Sequence, residues 1–353
     1  MNIVHCILSL NTGGAETLLI DIINDQSKTN KVSLVILNNS FEPSLLKKIS
    51  KKVSIYLLKR KPKSRNLIPI IKFNILLFKI APNIIHLHHA SISKIIFTKS
   101  SKIIYTSHAI GINIPQNHKI KKIIAISNAV KDDLENRNIK IPIIVIPNGI
   151  PITQIKRREN HNPHTPFKII QIARLYHEIK GQDILIKAIA ELKIRGFTDI
   201  TVDFIGSGNS DTFLKDLAKN LNVTKQINFL GTKDRDYIYA HLCEYDLMCH
   251  PSRSEGFGLT VAEGIAANIP VLVSNNDGPF ELIQHGKYGY SFTKDNITDC
   301  ANQISQIIAH YDKTVPLCKL AYEHVSSTYS VTQTAIQYIQ LYNELLGNYH
   351  NRL

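Results

Sequence analysis

Two glutamates eight positions apart carry the strongest chemical signal in this sequence. Glu255 and Glu263 flank a Gly-Phe-Gly turn and the start of an apolar segment. Residues 245–251 predict a strand that runs into a loop, and residues 269–274 predict the next strand. Strand, turn, helix and strand form one βαβ unit, and ligands of such units sit at the carboxyl ends of the strands. We therefore expect Glu255 before the helix and Glu263 within its first turns, where a ligand would bind.

The turn between the two glutamates has the composition of an anion site. Gly256 and Gly258 allow the backbone to approach a ligand closely, because no Cβ intervenes. The N–H groups of residues 258–260 are expected to point out of the helix start and, with the helix dipole, to attract a diphosphate. Glu263 offers an acceptor-only side chain for a ribose diol. Glu255, next to an anion, is expected to face a sugar hydroxyl or a developing positive charge instead.

Two cations follow the first predicted strand of the second half. Arg174 comes directly after the predicted strand 168–173, and Lys180 is expected to begin the next helix. Both would lie beside the anion site, where fixed positive charges stabilise the negative charge that grows on a leaving diphosphate. The alternative interpretation is two solvated cations at a strand end.

These segments resemble the retaining glycosyltransferases of family 4. Residues 252–264 match the S-x-x-E-G-F-G form and the E-x7-E spacing, residues 276–283 resemble the G-P-x-E-[IL]-[IL] segment, and Arg174 and Lys180 match the R-x5-K spacing. The resemblance covers essentially the whole chain and is most specific in the C-terminal half. It implies an α/β protein of the GT-B fold, with two Rossmann-like, doubly wound domains facing across a cleft and a C-terminal helix that packs back on the N-terminal domain.

The resemblance also implies roles for further residues. Gly206 begins a G-x-G turn, although a plain tight turn is an equal alternative. Gly13 and Gly14 form a loop that would cover the donor diphosphate, and His108 would lie near the reacting sugar and acceptor. We expect Glu255 and His108 to be the catalytic residues. The expected donor-binding residues are Gly13, Gly14, Arg174, Lys180, Gly206, Gly256, Phe257, Gly258, Leu259, Thr260 and Glu263.

Two histidines in the first half have the spacing of metal ligands on a strand. Strand alternation places His86 and His88 on one face, but no cysteine or carboxylate accompanies them. The stretch resembles instead the I-x-H-x-H-H strand of the same family. The cations at 174 and 180 also make a divalent metal dispensable in that family. We therefore expect neither a metal nor another cofactor.

The alternation of elements predicts the domain boundaries. Over residues 1–150, short β-branched strands alternate with helices, which suits a parallel sheet covered on both faces. The polar residues 151–166 predict an interdomain linker. Residues 167–328 predict a second strand–helix domain, and residues 329–353 contain the final helix that the resemblance returns to the first domain.

The positive charge of the chain is concentrated in its first half. The formal net charge is +14, and residues 43–131 contain 18 Lys and Arg but no Asp or Glu. Such a field attracts anionic surfaces, either lipid headgroups or nucleic acid. The codon bias of an AT-rich genome is an alternative explanation for many of the lysines. It does not explain why residues 43–131 lack Asp and Glu. Because the basic half has few aromatic residues and no nucleic-acid-binding motif, we expect an anionic membrane surface as the partner and no nucleic acid.

Composition also bears on the compartment. The five cysteines are scattered without metal-ligand spacing, which indicates a reducing cytoplasm. Residues 2–8 predict a first strand rather than a secretory leader. The most apolar run, residues 67–80, is too short and too charged to span a bilayer. We expect a cytoplasmic protein, peripheral on the inner face of the cytoplasmic membrane.

The resemblance implies an enzyme that moves a hexose or N-acetylhexosamine from a nucleotide sugar to a glycan acceptor. We expect a UDP-sugar donor, with GDP open, and a polyprenyl-diphosphate-linked acceptor in surface polysaccharide assembly, such as O-antigen or capsule. A glycosidase, which needs an acid/base pair of carboxylates, is not expected. The alternatives are a UDP-sugar 2-epimerase or a soluble-acceptor glycosyltransferase on the same fold and, more remotely, a nucleic-acid-binding protein.

Overall fold

The computed structural model describes residues 1–98, 100–115 and 118–347. The chain divides into two compact units. The first contains residues 1–149 and the C-terminal segment from residue 331, and the second contains residues 150–330. Residues 348–353 of the predicted terminal segment, and residues 99, 116 and 117 of the basic region, lie outside the described residues.

The described part of the first unit contains a seven-stranded sheet in which every pairing is parallel. Its strands are β1 (Asn2–Ile7), β2 (Lys31–Asn38), β3 (Ser54–Arg60), β4 (Ile84–Leu87), β5 (Lys102–Ser107), β6 (Ile120–Ala125) and β7 (Ile143–Val145). Their order is β3-β2-β1-β4-β5-β6-β7, so the winding reverses between β1 and β4. Ligands of doubly wound sheets bind outside the carboxyl ends of the strands at such a reversal.

Helices cover this sheet, and the last helix of the chain is one of them. They are α1 (Gly14–Gln26), α2 (Pro43–Lys47), α3 (Ile68–Ile80), α4 (Asn128–Asn136) and, at the C-terminus, α13 (Val331–Leu346). From α13, Tyr338, Leu341 and Tyr342 are buried in one cluster with Ile3 of β1 and Ile104 of β5. The final helix is therefore part of the hydrophobic core of the first unit.

The second unit contains, in the part that the structure describes, a six-stranded sheet with parallel pairings. Its strands are β8 (Phe167–Ile172), β9 (Ile200–Ile205), β10 (Ile227–Gly231), β11 (Leu247–His250), β12 (Val271–Ser274) and β13 (Tyr290–Phe292), in the order β10-β9-β8-β11-β12-β13. Its helices are α5 (His177–Lys180), α6 (Gln182–Ile194), α7 (Asp211–Asn220), α8 (Arg235–His241), α9 (Leu259–Ala266), α10 (Asp277–Leu282), α11 (Ile297–Ala309) and α12 (Thr314–Thr328).

The two doubly wound parallel sheets confirm the predicted fold class. The differences from the sequence prediction are local. Residues 44–52 are predicted from the sequence as one short basic helix, whereas α2 ends at Lys47. The side chain of Asn24 explains the early end, because its Nδ2 donates to the Lys48 carbonyl at 2.9 Å and its Oδ1 accepts from the Ser50 amide at 2.7 Å. Within the described ranges, no helix is long and apolar enough to cross a bilayer.

Residues 151–166, predicted as an interdomain linker, are packed into the second unit through Arg158. The guanidinium is buried, and its Nη2 lies 2.8 Å from Oδ1 of the buried Asp246. Its Nε donates to the Asn160 carbonyl at 2.7 Å, and the Arg158 amide donates to the Ala267 carbonyl at 2.8 Å. An ion pair in which both side chains are buried therefore fixes this segment to the domain that follows it.

Replacing Arg158 by leucine tests this anchor. The substitution leaves Asp246 as a buried charge without its cationic partner, so we expect the free energy of unfolding of the second unit to fall by about 3 kcal/mol in urea titrations. The control is Lys215→Gln, which removes a pair with Asp211 whose side chains are 54% and 42% exposed. That control is expected to change stability by less than about 0.5 kcal/mol. Equal effects of the two substitutions would contradict the anchoring role.

Candidate functional site

The loop after β11 approaches the junction of α5 and α6 closely enough to bring Lys180 to Glu255. Gly181 joins the two helices in the left-handed conformation, with a φ of 65°. A Cβ at this position would lie 1.9 Å from the carbonyl oxygen of Pro251, so the approach requires glycine. The Lys180 ammonium then donates a hydrogen bond to the Glu255 carboxylate. The sequence predicted that Lys180 begins the next helix. In the structure it is instead the last residue of α5, because Gly181 after it has a left-handed conformation.

Arg253 fixes the same loop from its other side. Its Nη1 and Nη2 donate to the two carboxylate oxygens of Asp183 on α6, at 2.8 and 3.1 Å. Its Nε also donates to Asp295 at 2.5 Å, and its amide donates to the Ile179 carbonyl at 2.7 Å. No local sequence pattern indicates a role for Arg253 or Asp183. Arg253 stands inside the recognised motif, but its partner lies 70 residues earlier and no local spacing connects them.

The surroundings of Glu255 keep its carboxylate ionised. Its Oε2 lies 3.6 Å from Nε2 of the buried His250, which is 3.0 Å from the Ser252 hydroxyl. Burial by itself raises the pKa of Glu255, but the proximity of His250 and the charge of Lys180 outweigh it and hold the pKa at about 2. A carboxylate with this pKa cannot donate a proton to a leaving group near neutral pH. It can accept hydrogen bonds or face a positive charge.

Helix α9 begins directly after the glycine turn. Gly258 is the residue before the helix, with a φ of 90°, and its carbonyl accepts from Val261 and Ala262 at 3.0 and 3.1 Å. The amides of Leu259 and Thr260 belong to the first turn, where an α-helix supplies no acceptor for its N–H groups. These two adjacent donors lie at the positive end of the helix dipole, where the sequence analysis expects a diphosphate to bind.

The turn itself is held by the helix after β12. The Glu255 carbonyl accepts from the Gly278 amide at 3.1 Å, and the Glu255 amide donates to Asp277 at 3.3 Å. Phe257 is buried and packs edge-on against Tyr329, with ring centroids 5.5 Å apart. The phenyl ring therefore anchors the turn in the core, while the backbone on either side of it remains at the site.

Glu263 is the fifth residue of α9, and two residues of α8 orient it. The Tyr239 hydroxyl donates to Glu263 Oε1 at 2.9 Å, and Arg235 Nε donates to the Tyr239 oxygen at 2.7 Å. Burial first, and then the Glu263 charge, raise the pKa of Tyr239, so the phenol stays a hydrogen-bond donor. The sequence located Glu263 correctly on the helix but did not indicate Tyr239 or Arg235, because they lie on a different element.

Arg174 and Gly206 lie at the ends of neighbouring strands. Arg174 follows β8, and its side chain is exposed. Gly206 follows β9 with a φ of 141°, and a Cβ there would lie 2.0 Å from the Ala173 carbonyl oxygen. The glycine is therefore required for close packing of the two strand ends beside Arg174. This close approach explains the glycine better than a plain tight turn does.

The remaining predicted residues belong to the first unit. Gly13 precedes α1 and Gly14 is its first residue. The loop before them is fixed by Glu42, whose carboxylate accepts hydrogen bonds from the Thr12 amide, at 2.9 Å, and from its hydroxyl. His108 follows β5. The second unit thus brings Lys180, Glu255, the α9 start and Glu263 into one region, while Gly13, Gly14 and His108 lie in the other unit.

Four histidines lie together at the reversal between β1 and β4. His5 Nδ1 is 3.0 Å from His88 Nε2, and His88 Nδ1 is 3.1 Å from His108 Nε2. His86 contacts a tyrosine and a threonine hydroxyl, each at 2.6 Å. Ligand atoms of His5, His86 and His88 lie within 4.8 Å of one another, a spacing that a metal could use. Among the described residues no thiolate or carboxylate joins these three histidines. Both ring nitrogens of each of the three have a hydrogen-bond partner.

Burial keeps these histidines neutral. It lowers the pKa of His5 to about 4 and, with a smaller contribution from His89, that of His108 to about 4. The pKa values of His86 and His88 are also well below the ordinary value, again chiefly through burial. Near neutral pH each ring therefore has one protonated and one unprotonated nitrogen.

With this geometry established, two family models match consecutive parts of the chain. The model described as Glycosyltransferase Family 4 matches residues 12–154, and the model described as Glycosyl transferases group 1 matches residues 152–322. Together they extend over well more than half of the chain. The chain belongs to the family 4 glycosyltransferases, as the motifs around Glu255 and Arg174 predicted.

Individual relatives agree with this assignment. A glycosyltransferase of Methanocaldococcus jannaschii is 30% identical over 53% of this chain and 49% of its own length. A GDP-mannose-dependent phosphatidylinositol monomannoside mannosyltransferase of Mycobacterium tuberculosis is 26% identical over 50% of this chain and 47% of its own. The Anabaena protein HepE, solved with UDP, superimposes with a TM-score of 0.83 at 21% identity, covering 98% of this chain and 100% of its own. The chain spans about half the length of the curated relatives it matches.

The buried histidines predict a pH dependence of stability. In the unfolded chain a histidine titrates near 6.5, whereas His5 and His108 titrate near 4 when folded. Between these values the unfolded state binds more protons, so the free energy of unfolding falls as the pH is lowered from 7 to 5. We expect a loss of about 2 kcal/mol for each of these two histidines, measured in urea titrations at each pH. A stability that does not change over this interval would contradict the folded pKa values.

Proposed function

We propose that this protein transfers a sugar from a nucleotide-sugar donor, held by the second unit, to a glycan acceptor, held by the first unit. The observation that carries the proposal is the Lys180–Glu255 pair, built into the loop that leads to the start of α9. A cation, an ionised carboxylate and two helix amides together match a substrate that carries both a diphosphate and a sugar. Family membership supports the same reaction.

Each group then has a distinct role in the proposed donor site. The amides of Leu259 and Thr260 and the exposed Arg174 bind the diphosphate. Glu263, oriented by Tyr239, accepts from the ribose hydroxyls. Lys180 neutralises charge on the leaving diphosphate, which removes the need for an acid to protonate it. Glu255 faces the sugar, where its permanent charge stabilises the positive character that develops as the bond to the diphosphate breaks.

The donor nucleotide is proposed to be UDP. HepE was solved with UDP and also with UDP-glucose, whereas the mycobacterial relative is named for GDP-mannose. A panel of UDP- and GDP-sugars should resolve this point, because a ligand that binds only the folded state raises the melting temperature in proportion to its affinity. We expect stabilisation by UDP-sugars and little by GDP-sugars. The reverse order would assign GDP to the site.

Two substitutions test the catalytic roles. Glu255→Gln keeps the shape but removes the charge, and Lys180→Met keeps the length but removes the ammonium. Each is expected to lower transfer by about a hundredfold or more, measured as nucleoside diphosphate released from the stabilising donor. The control, Lys187→Gln, removes a cation that pairs with Asp183 on the same helix, and transfer is expected to change less than about twofold.

The outcomes of these assays separate the alternatives. Full transfer in both the Glu255 and the Lys180 variants would refute the proposed donor site. Conversion of a UDP-sugar to its 2-epimer without an added acceptor would indicate an epimerase on the same fold. Salt-dependent binding of DNA without any response to nucleotide sugars would support a nucleic-acid-binding protein.

We also propose that the acceptor is lipid-linked and that α3 lies on an anionic membrane surface. Phe73 and Leu77 of α3 are buried, whereas the opposite face exposes apolar side chains at helical spacing. The exposed apolar residues on this face are Ile68, Ile71, Ile75 and Phe78. Lys72 and Lys79 are exposed beside this stripe. An apolar stripe with flanking cations is typical of a helix that lies in the headgroup region of anionic lipid. Such placement would bring the first unit to a polyprenyl-diphosphate-linked glycan of the kind used in O-antigen or capsule assembly.

Vesicle binding tests the membrane role. The wild-type protein is expected to sediment with vesicles that contain phosphatidylglycerol but not with pure phosphatidylcholine. Phe78→Ser should reduce binding several-fold because it removes an apolar side chain that would enter the lipid. The double variant Lys72→Gln/Lys79→Gln should also reduce binding several-fold, because each basic residue near the surface contributes about 1 kcal/mol. The matched control is Ile194→Ser in the second unit, since Ile194 is 87% and Phe78 84% exposed. Equal binding to both vesicle types, or equal effects of the two serine substitutions, would exclude this surface.

A further inference from the structure

One ring nitrogen in the histidine group has no hydrogen-bond partner among the described residues. His108 Nδ1 is buried, whereas its other ring nitrogen contacts His88. A buried polar atom without a partner is costly, so its place in the structure calls for an explanation such as a catalytic role or a missing contact. His108 follows the carboxyl end of β5, the edge of the sheet at which ligands of this fold class bind.

The hydrogen bonds behind His108 decide whether Nδ1 donates or accepts. The buried Gln26 at the end of α1 faces His5 with its side-chain oxygen, which lies 2.9 Å from His5 Nε2. Because a carbonyl oxygen can only accept, His5 Nε2 carries the proton and His5 Nδ1 is bare. His88 Nε2 must then donate to His5, which leaves His88 Nδ1 bare in turn.

The same rule applies at the last step. The bare His88 Nδ1 accepts from His108 Nε2, so His108 has its proton on Nε2 and a free lone pair on Nδ1. The order holds only while all three rings are neutral, which burial ensures near neutral pH. The tautomer of each neutral ring fixes the tautomer of the next. The Gln26 amide therefore determines the tautomer of His108 through His5 and His88.

We propose that Gln26, His5 and His88 are positioning residues that hold His108 in the Nε2-protonated tautomer, so that its Nδ1 accepts a hydrogen bond from a hydroxyl of the acceptor. The inference rests on the proposed transfer reaction for the identity of the ligand, but not for the tautomer itself. A hydroxyl that donates to Nδ1 turns its oxygen lone pairs away from the ring. His108 therefore selects acceptors that offer a hydroxyl proton at this point.

His86 lies outside this relay and provides a control. It stacks on His88 with ring centroids 4.6 Å apart, yet its nitrogens bond Tyr342 and Thr106. Thr106→Val therefore removes one buried hydrogen bond from the same histidine group and keeps the side-chain shape. Gln26→Leu removes the acceptor that sets the direction of the relay, and with it the contact of Gln26 with the Tyr342 hydroxyl.

The decisive measurement is the tautomer of His108 in the full chain. Long-range proton–nitrogen NMR of protein labelled with ¹⁵N-histidine separates protonated from bare ring nitrogens, and His108→Gln identifies the His108 signals by their loss. We expect a protonated Nε2 and a bare Nδ1 in the wild-type protein and in Thr106→Val, and a mixture of tautomers in Gln26→Leu.

In transfer assays Gln26→Leu should lower kcat/KM for the acceptor by about three- to tenfold with the donor KM unchanged, whereas Thr106→Val should change it less than about twofold.

Each result has a separate consequence. A protonated Nδ1 in the wild-type protein overturns the proposal, and so does an unchanged His108 tautomer in folded Gln26→Leu. If that variant does not fold, the wild-type spectrum alone decides. Loss of the bare nitrogen signals on addition of zinc, with zinc retained through dialysis, would replace the relay by a metal site. The expected tautomer in a protein that transfers no sugar would refute the proposed function and leave the relay intact.

Discussion

The ion pair between Lys180 and Glu255 is the interaction on which the arrangement of the proposed donor site depends. It forms because Gly181 lets the backbone of one loop touch the carbonyl of Pro251 in another. Arg253 adds the charge-assisted bonds that keep the two loops together. Once the loops are fixed, the glycine turn and the start of α9 have one position. The loops of the proposed donor site are therefore held together by contacts between segments about 70 residues apart.

Burial disfavours the charged form of both proposed catalytic residues, and their neighbours decide whether the charge is retained. Glu255 is close to a lysine and a histidine, so its charge is retained and its pKa falls to about 2. His108 has other neutral histidines as neighbours, so burial removes its charge and its pKa falls to about 4. Near neutral pH the first is a permanent anion and the second a neutral ring. One can stabilise charge, whereas the other can only exchange hydrogen bonds.

Parallel sheets explain why residues far apart in sequence share an edge. In the first unit β1, β4 and β5 are neighbours, although they come from separate parts of the chain. His5, His88 and His108 are thereby placed at hydrogen-bonding distances. The C-terminal helix α13 closes the same core with Tyr338 and Tyr342. The first unit thus has a polar group inside its apolar core, and every ring in it must be neutral for the core to remain stable.

The sequence by itself determined the fold class, the family, and the place of Glu255 and Glu263 around a glycine turn and helix start. These follow from short-range patterns: β-branched strands, glycines, and fixed spacings within about a dozen residues. Only the tertiary structure decided that Lys180 pairs with Glu255, that Tyr239 orients Glu263, and that Gln26 lies behind three histidines. The physical reason is that such partners meet through strand order and loop packing, and no local periodicity encodes which loops will touch.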